Sequence, residues 1–180
     1  MTILKAAGFR PCIVGRDLIV PLKTRSKKGQ LGVDRLVTAY GGFQLYGSPL
    51  LVIDFGTAIT FDYVSKSGGF EGGLIVPGPE ISFQTLTQRA ALLPKNTRLP
   101  QQALSFIGND TLACMESGIL QGYGAMTEGL IQRFQKQYGK MKVVGTGGFA
   151  KTIKPYCPLL KTIDPQLSVK SLLLLSRKFA

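Results

Sequence analysis

Leu50-Leu51-Val52-Ile53-Asp54-Phe55-Gly56-Thr57-Ala58-Ile59-Thr60-Phe61-Asp62 is the stretch that decides how this chain is read. An apolar run ends on a carboxylate, the backbone turns at a glycine followed by a hydroxyl residue, and a second run returns. Pro49–Asp54, Thr60–Val64 and Phe70–Val76 read as strands, joined by turn signals at Gly56-Thr57-Ala58 and Gly68-Gly69, so an antiparallel meander is expected. Glycine lets a ligand approach the backbone closely, and N–H groups in such a turn can converge on phosphate oxygens. Thr57 can add a hydroxyl donor, and Asp54 can hold a cation beside the phosphates. A plain hairpin with a polar turn accounts for the same residues, and the stretch alone leaves both open.

On the N-terminal side, Cys12–Val14 and Leu18–Leu22 are predicted as short strands, followed by a basic cluster, Lys23-Thr24-Arg25-Ser26-Lys27-Lys28. Leu31, Leu36, Val37, Tyr40 and Phe43 then suggest a helix ending near Gly47. At its start lies Gly32-Val33-Asp34-Arg35. Asp34 is either a base or a carboxylate favoured by the helix dipole, and Arg35 either grips a ligand carboxylate or pairs with Asp34.

On the C-terminal side, Pro77-Gly78-Pro79 closes the meander and a helix is expected from about Ile81 to Leu92. Ile107-Gly108-Asn109-Asp110-Thr111 reads as a capped helix start, and the helix runs to about Tyr138. Met115, Ile119, Tyr123, Met126, Leu130 and Phe134 form its apolar stripe. Gly118, Gly122, Ala125 and Gly129 form a second, small-residue stripe that predicts close approach of another backbone. Met141–Val144 is expected as a strand, Gly145-Thr146-Gly147-Gly148 as a tight turn against which a flat ligand can lie, and Phe149 as the start of another helix. A meander followed by strand–turn–helix units indicates a mixed α/β (α+β) domain.

Composition limits the chemistry. The chain has 180 residues, a formal net charge of +12 and no histidine. Ser-His-Asp and Cys-His catalysis and imidazole metal ligation are excluded, so a general base has to be a carboxylate. Three widely spaced cysteines, Cys12, Cys114 and Cys157, make neither a disulfide framework nor a zinc cage, and read as reduced core thiols. The positive charge favours anionic partners. Outside Lys23–Lys28 it is scattered, and aromatic residues do not interleave with it, which disfavours specific nucleic-acid binding. No apolar run reaches the length of a secretory or membrane-spanning segment, so a soluble, cytoplasmic protein without membrane contact is expected.

Taken together, five segments resemble the type III pantothenate kinases of the acetate and sugar kinase/Hsp70/actin superfamily. They are Gly32-Val33-Asp34-Arg35, Asp54–Asp62, Gly72-Gly73-Leu74-Ile75-Val76-Pro77-Gly78, Gly108–Thr111 and Thr146-Gly147-Gly148, in the family's order from about Gly32 to Ala150. The resemblance implies a ribonuclease H-like/actin-like ATPase fold and ATP-dependent phosphorylation of pantothenate to 4'-phosphopantothenate, the first step of coenzyme A biosynthesis. It assigns Asp34 as general base, with Gly32, Val33, Asp34, Arg35 and Thr111 binding pantothenate. It assigns Gly56, Thr57, Gly147 and Gly148 to ATP, and Asp54 to a monovalent cation, K+ or NH4+, with Mg2+ accompanying ATP. It also implies a homodimer with the substrate site near the subunit interface.

The family's pattern opens with a further phosphate loop, D-x-G-N-T. The only acidic residue before Asp34 is Asp17, which is followed by Leu18 and not by that pattern. Residues 1–47 are therefore expected to be a remnant of the N-terminal lobe carrying the GxDR segment, and residues 48–180 the C-terminal actin-like lobe. A late start, a fragment and a degenerate gene product are the three explanations. With one phosphate loop, weak or no kinase activity is expected of these residues in isolation, and strand edges left unpaired should promote aggregation. The alternative function is a non-catalytic family member acting as an accessory or nucleic-acid-associated binding protein.

Overall fold

The computed structural model describes residues 11–24, 30–89, 98–100 and 105–178. The core of the fold is a five-stranded sheet in the order β3-β2-β1-β4-β5. The strands are β1 (Leu50–Phe55), β2 (Ala58–Val64), β3 (Phe70–Pro77), β4 (Lys142–Thr146) and β5 (Thr162–Ile163). β1, β2 and β3 form the expected antiparallel meander, whereas β4 runs parallel to β1 and β5 parallel to β4.

β1 is central because nearly all of it is buried, as its continuous apolar run requires. Its residues alternate between two cores. Leu51, Ile53 and Phe55 join Ile59, Phe61 and Tyr63 of β2 in one cluster, while Leu50 and Val52 join Val64 in the other. The long helix α3 (Thr111–Tyr138) and helix α2 (Pro79–Arg89) pack on the first side. Helices α1 (Val33–Tyr46) and α5 (Leu167–Arg177) cover the second. The molecule is thus a helix–sheet–helix sandwich, a mixed α/β fold. Helix α1, placed ahead of residue 48 in the sequence reading, shares a core with β1, β2 and β4. It lies so close to α5 that a β-carbon at Gly41 would collide with Ser171 Oγ.

Several local expectations need correction. Among the described residues, Cys12–Val14 and Leu18–Leu22 form only an isolated bridge, Val14 to Leu18, because Asp17 Oδ2 accepts from Ile13 N at 2.8 Å and closes a tight turn. In α3 the line facing the core is Ser117, Leu120, Gly124, Thr127 and Ile131. The apolar stripe from Met115 to Phe134 flanks that line and is partly buried. Close backbone approach occurs at Gly124, where a β-carbon would lie 2.4 Å from Tyr156 O. Gly118, Gly122 and Gly129 face open space, so the small-residue stripe packs on nothing among the described residues. The turn after β4 is also displaced from where it was expected: Gly145 and Thr146 belong to the strand, and the chain turns over Gly147-Gly148-Phe149. Helix α4 (Ala150–Ile153) follows as a single turn, then the 3-10 turn Lys154–Tyr156. Of the cysteines, Cys157 is buried but Cys12 and Cys114 are exposed. The part of the basic cluster from 25 to 28, and the end of the helix expected to reach Leu92, lie outside the described residues.

Candidate active site

The alternation of β1 and β2 that buries Phe55, Ile59 and Phe61 on one face sends Asp54, Thr60 and Asp62 to the other, toward α1. Register places Asp54 opposite Thr60 and Val52 opposite Asp62. The start of α1 brings Asp34 and Arg35 over the same end of the sheet. Together with Thr38, Gly56, Thr57 and Ala58, these residues line a cavity of about 270 Å³. A sandwich with this topology leaves ligands room at the carboxyl ends of its parallel strands.

Asp34 sits in the first turn of α1, whose N-cap, Gly32, supplies no side-chain bond. A β-carbon at residue 32 would lie 2.5 Å from Asp34 Oδ1, so the glycine leaves the carboxylate its space. Asp34 is exposed to the cavity and accepts from Arg35 N at 2.9 Å. Arg35 does not pair with Asp34 through its side chain. Its Nε and Nη2 donate to Asp62 Oδ1 at 2.9 and 2.5 Å. Asp62 is 2% exposed.

Asp54 is half-buried, and its carboxylate makes no hydrogen bond or ion pair with a described residue. Burial pushes its pKa up, and the negative charges of Asp62 and Asp34 push it further in the same direction. For Asp62, burial pushes upward and outweighs the opposing pull of the Arg35 guanidinium and the Thr60 hydroxyl.

The Gly56-Thr57 turn is held from behind. Gly78 N donates to Thr57 O at 2.8 Å, and Phe149 N donates to Phe55 O at 3.1 Å. Gly78 is itself fixed by Tyr123, whose hydroxyl donates to Pro77 O at 2.8 Å. A β-carbon at Gly56 would make only ordinary contacts, with Ala58 O at 3.5 Å and Asp54 Oδ1 at 3.9 Å, and the residue lines the cavity. Gly147, at φ +88°, packs on the end of β1, and a β-carbon there would lie 2.4 Å from Asp54 Oδ1 and 2.7 Å from the Phe55 backbone. Gly148 faces open space.

The structure therefore unites Asp34, Arg35, Asp54, Gly56 and Thr57 in one cavity, with Gly147 against its wall and Gly32 and Val33 immediately beside it in sequence. Thr111 is not brought there; it is an exposed first-turn residue of α3, behind the Asp110 cap whose carboxylate accepts from Ala113 N at 2.8 Å. Asp62, Thr60 and Thr38 are cavity residues to which the sequence reading gave no role. Their signal was legible for β2, where two polar residues two apart share one face of an otherwise buried strand.

Comparison with known proteins decides the family. The profile of type III pantothenate kinases matches residues 1–133. The chain belongs to the type III pantothenate kinase family. The type III pantothenate kinase of Thermus thermophilus is 42% identical over 147 residues, covering 80% of this chain and 57% of that protein. The Moorella thermoacetica enzyme of the same name is 38% identical over 172 residues, 94% of this chain and 67% of that one. The chain thus spans 57% of the length of the Thermus relative. Among solved structures, a conserved protein assigned to the Baf family of transcriptional activators from Campylobacter jejuni matches with a TM-score of 0.55 at 21% identity, covering 88% of this chain and 68% of that one. The activator of 2-hydroxyisocaproyl-CoA dehydratase from Clostridium difficile, solved with bound ADPNP, matches with a TM-score of 0.50 at 13% identity, covering 99% and 82%. At these identities the structural matches speak for the fold, an actin-like ATPase fold. The motif resemblance from Gly32 onward is accordingly a family relationship.

Proposed function

We propose that this type III pantothenate kinase family member transfers the γ-phosphoryl group of ATP to the primary hydroxyl of pantothenate, the first step of coenzyme A biosynthesis. The observation that carries the reading is the convergence of Asp34, Arg35, Asp54 and the Gly56-Thr57 turn on one cavity at the end of the sheet. Phosphoryl transfer asks for positioning and charge neutralisation more than covalent chemistry. Asp34 accepts the hydroxyl proton as the new P–O bond forms, a role open to an exposed carboxylate in a chain without histidine. Arg35 receives the carboxylate of pantothenate through its planar fork. Thr57 meets the phosphates with its backbone N–H and hydroxyl, the Gly56 N–H being spent on Ala58 O at 3.1 Å, and Gly147-Gly148 offers a side-chain-free surface to the nucleotide.

Asp54 fits a monovalent cation, K+ or NH4+. Its carboxylate is unengaged by described residues and is surrounded by negative charge, which favours a positive ion beside it. Among the described residues no group of three or more acidic or cysteine side chains is arranged to hold a metal, so a cation here would share its coordination with carbonyl, water or phosphate oxygens. Such an ion, like the Mg2+ that accompanies ATP, neutralises phosphate charge when bound. The proposal includes a homodimer, supported by the open small-residue face of α3, and a contact of Thr111 with pantothenate in that assembly. It also includes a cytoplasmic setting, supported by three free cysteines; among the described residues no helix is long and apolar enough to cross a membrane.

The test is pantothenate-dependent ADP formation with ATP, Mg2+ and K+, for this chain and for one that also carries a D-x-G-N-T loop, with 4'-phosphopantothenate identified by mass. Product from either chain supports the reading. ATP turnover that pantothenate does not stimulate in either folded protein refutes it.

A further inference from the structure

We propose that Asp62 is a positioning residue: it commits the guanidinium of Arg35 to one orientation, so that its outer edge recognises the carboxylate of the acceptor. The proposal rests on the pantothenate kinase reading and adds to it the device that makes the acceptor site specific for an acid.

Arg35 and Asp62 come from different elements, the first turn of α1 and the middle of β2. One edge of the guanidinium, Nε with Nη2, is spent on Asp62 Oδ1 at 2.9 and 2.5 Å. Oδ2 of the same carboxylate accepts from Thr60 Oγ1 at 2.8 Å, which fixes the acid in turn. The Phe70 ring lies under the guanidinium, 5.8 Å from Cζ to centroid. The side chains are 15% and 2% exposed, so the contact is shielded from water. Guanidinium has five N–H donors, and these bonds leave the opposite edge, Nη1 with the second Nη2 proton, without a described partner. Arg35 lines the cavity, and that edge matches a carboxylate bidentately.

Two other acids, Asp34 and Asp54, line the same cavity. A flexible arginine there would be drawn to either one, blocking the proposed base or the proposed cation site. A buried carboxylate holding two of its donors prevents that exchange, because breaking the pair leaves charge uncompensated in a poorly solvated place. Asp62 therefore acts through Arg35 and touches neither the phosphates nor the reacting hydroxyl.

The experiment compares the protein with its Asp62→Asn, Arg35→Gln and doubly substituted forms, using pantothenate and pantothenyl alcohol, which lacks the carboxylate. The expected result for Asp62→Asn is a KM for pantothenate raised about tenfold or more, with kcat and the KM for ATP changed less than about threefold. The preference for pantothenate over the alcohol should collapse in parallel. In the Arg35→Gln background, Asp62→Asn should change the pantothenate KM by less than about twofold, since a residue acting through another adds nothing once that one is gone. The double variant also removes both buried charges, so it answers the question if the single Asp62 variant does not fold. A fall in kcat with unchanged KM, a preserved acid preference, or additive effects in the double variant would overturn the proposal while leaving the kinase reading intact. If neither this protein nor the form that also carries a D-x-G-N-T loop phosphorylates pantothenate, that reading fails and the Arg35 Nε–H nitrogen-15 resonance decides the assignment. A protected resonance that shifts with pantothenate and is lost in Asp62→Asn upholds it; one indifferent to both overturns it.

Discussion

Replacing Asp164 by alanine should loosen the joint between the sheet and the two helices on the α1–α5 side. Asp164 is 5% exposed and follows β5 directly. Its carboxylate accepts from Tyr46 Oη at 3.0 Å, from Gln166 N at 3.1 Å, and from Lys170 Nζ at 2.9 Å on both oxygens. It therefore ties the end of α1 to the first turns of α5. Lys170 is 46% exposed and can turn to water, so that bond contributes little. The Tyr46 hydroxyl and Gln166 N–H lose a charged acceptor, and bonds of that kind contribute about 1.5–3 kcal/mol each. With partial compensation by water, the loss should be about 2–4 kcal/mol, or roughly 5–15 °C in Tm for a chain of this size. Burial alone would push the Asp164 pKa up, but the bonds from Lys170, Tyr46 and Gln166 outweigh it and the value falls below the ordinary carboxylate range. The stabilisation is thus fully present above the unfolded-state pKa and is lost as pH falls through the folded-state value. Thermal unfolding followed by circular dichroism should show a constant gap between wild type and Asp164→Ala from neutral pH to about pH 5, shrinking below about pH 4. A gap under about 2 °C at neutral pH, or one just as wide at about pH 3, would refute the reasoning.

Three further predictions concern the cavity. Asp34→Asn should lower turnover by about 10²–10⁴-fold while the ATP KM stays within about twofold; retained turnover removes Asp34 from the role of base. Asp54→Asn should raise the half-saturating concentrations of K+ and of ATP, read from initial rates; a profile identical to that of Asp34→Asn would show that the two acids do not divide the work as proposed. Gly147→Ala puts a β-carbon 2.4 Å from Asp54 Oδ1 at a φ of +88° and should cost about 1–3 kcal/mol of stability, measured by denaturant unfolding. An alanine variant as stable as wild type would mean that the turn relaxes freely.

The meander was legible because β1, β2 and β3 are separated by short glycine turns and local signals suffice for it, and β4 from its apolar run, whereas the two-residue β5 carried no signal of its own. Helix α1 was legible from its spacing, and α3 from spacing plus the Asp110 cap. The face of α3 was misread because its apolar surface is wider than one stripe. Only the tertiary contact with Tyr156 reveals that Gly124, and not Gly118 or Gly122, is the point of close approach. Helix α5 was missed although Leu167, Ser171 and Leu175 recur at helical spacing, because the middle member of that line is a serine and the last is hidden in the apolar run Leu172–Leu175. In the cavity, Asp34, Asp54 and Thr57 were found from local motifs and resemblance. Asp62 was in plain view within the quoted stretch, yet its bond to Arg35 spans 27 residues and depends on the docking of α1 on β2. No local pattern encodes such a contact.

On the proposed reading, the charge of the cavity gives a protein of formal charge +12 a need for cations in binding a nucleotide. Surface lysines are screened by solvent within about 10 Å at 0.1 M salt, so they raise the local concentration of anions without neutralising a phosphate in place. Inside the cavity the described ionisable groups are Asp34, Asp54 and Asp62 against Arg35 alone, and Arg35 is already paired with Asp62. Asp34 and Asp54 remain, and each repels phosphate oxygens. A site built for the phosphates by side-chain charge would have the opposite balance. This one suits an anion that arrives with its own metal ion, meets the N–H and hydroxyl of Thr57, and faces a carboxylate able to hold a further cation. The same imbalance keeps Arg35 from serving the phosphates, because leaving Asp62 would add a third uncompensated acid beside them. On the proposed kinase reading, recognition of the acceptor's carboxylate and tolerance of the nucleotide's phosphates are therefore separated by where the cavity's arginine is tethered.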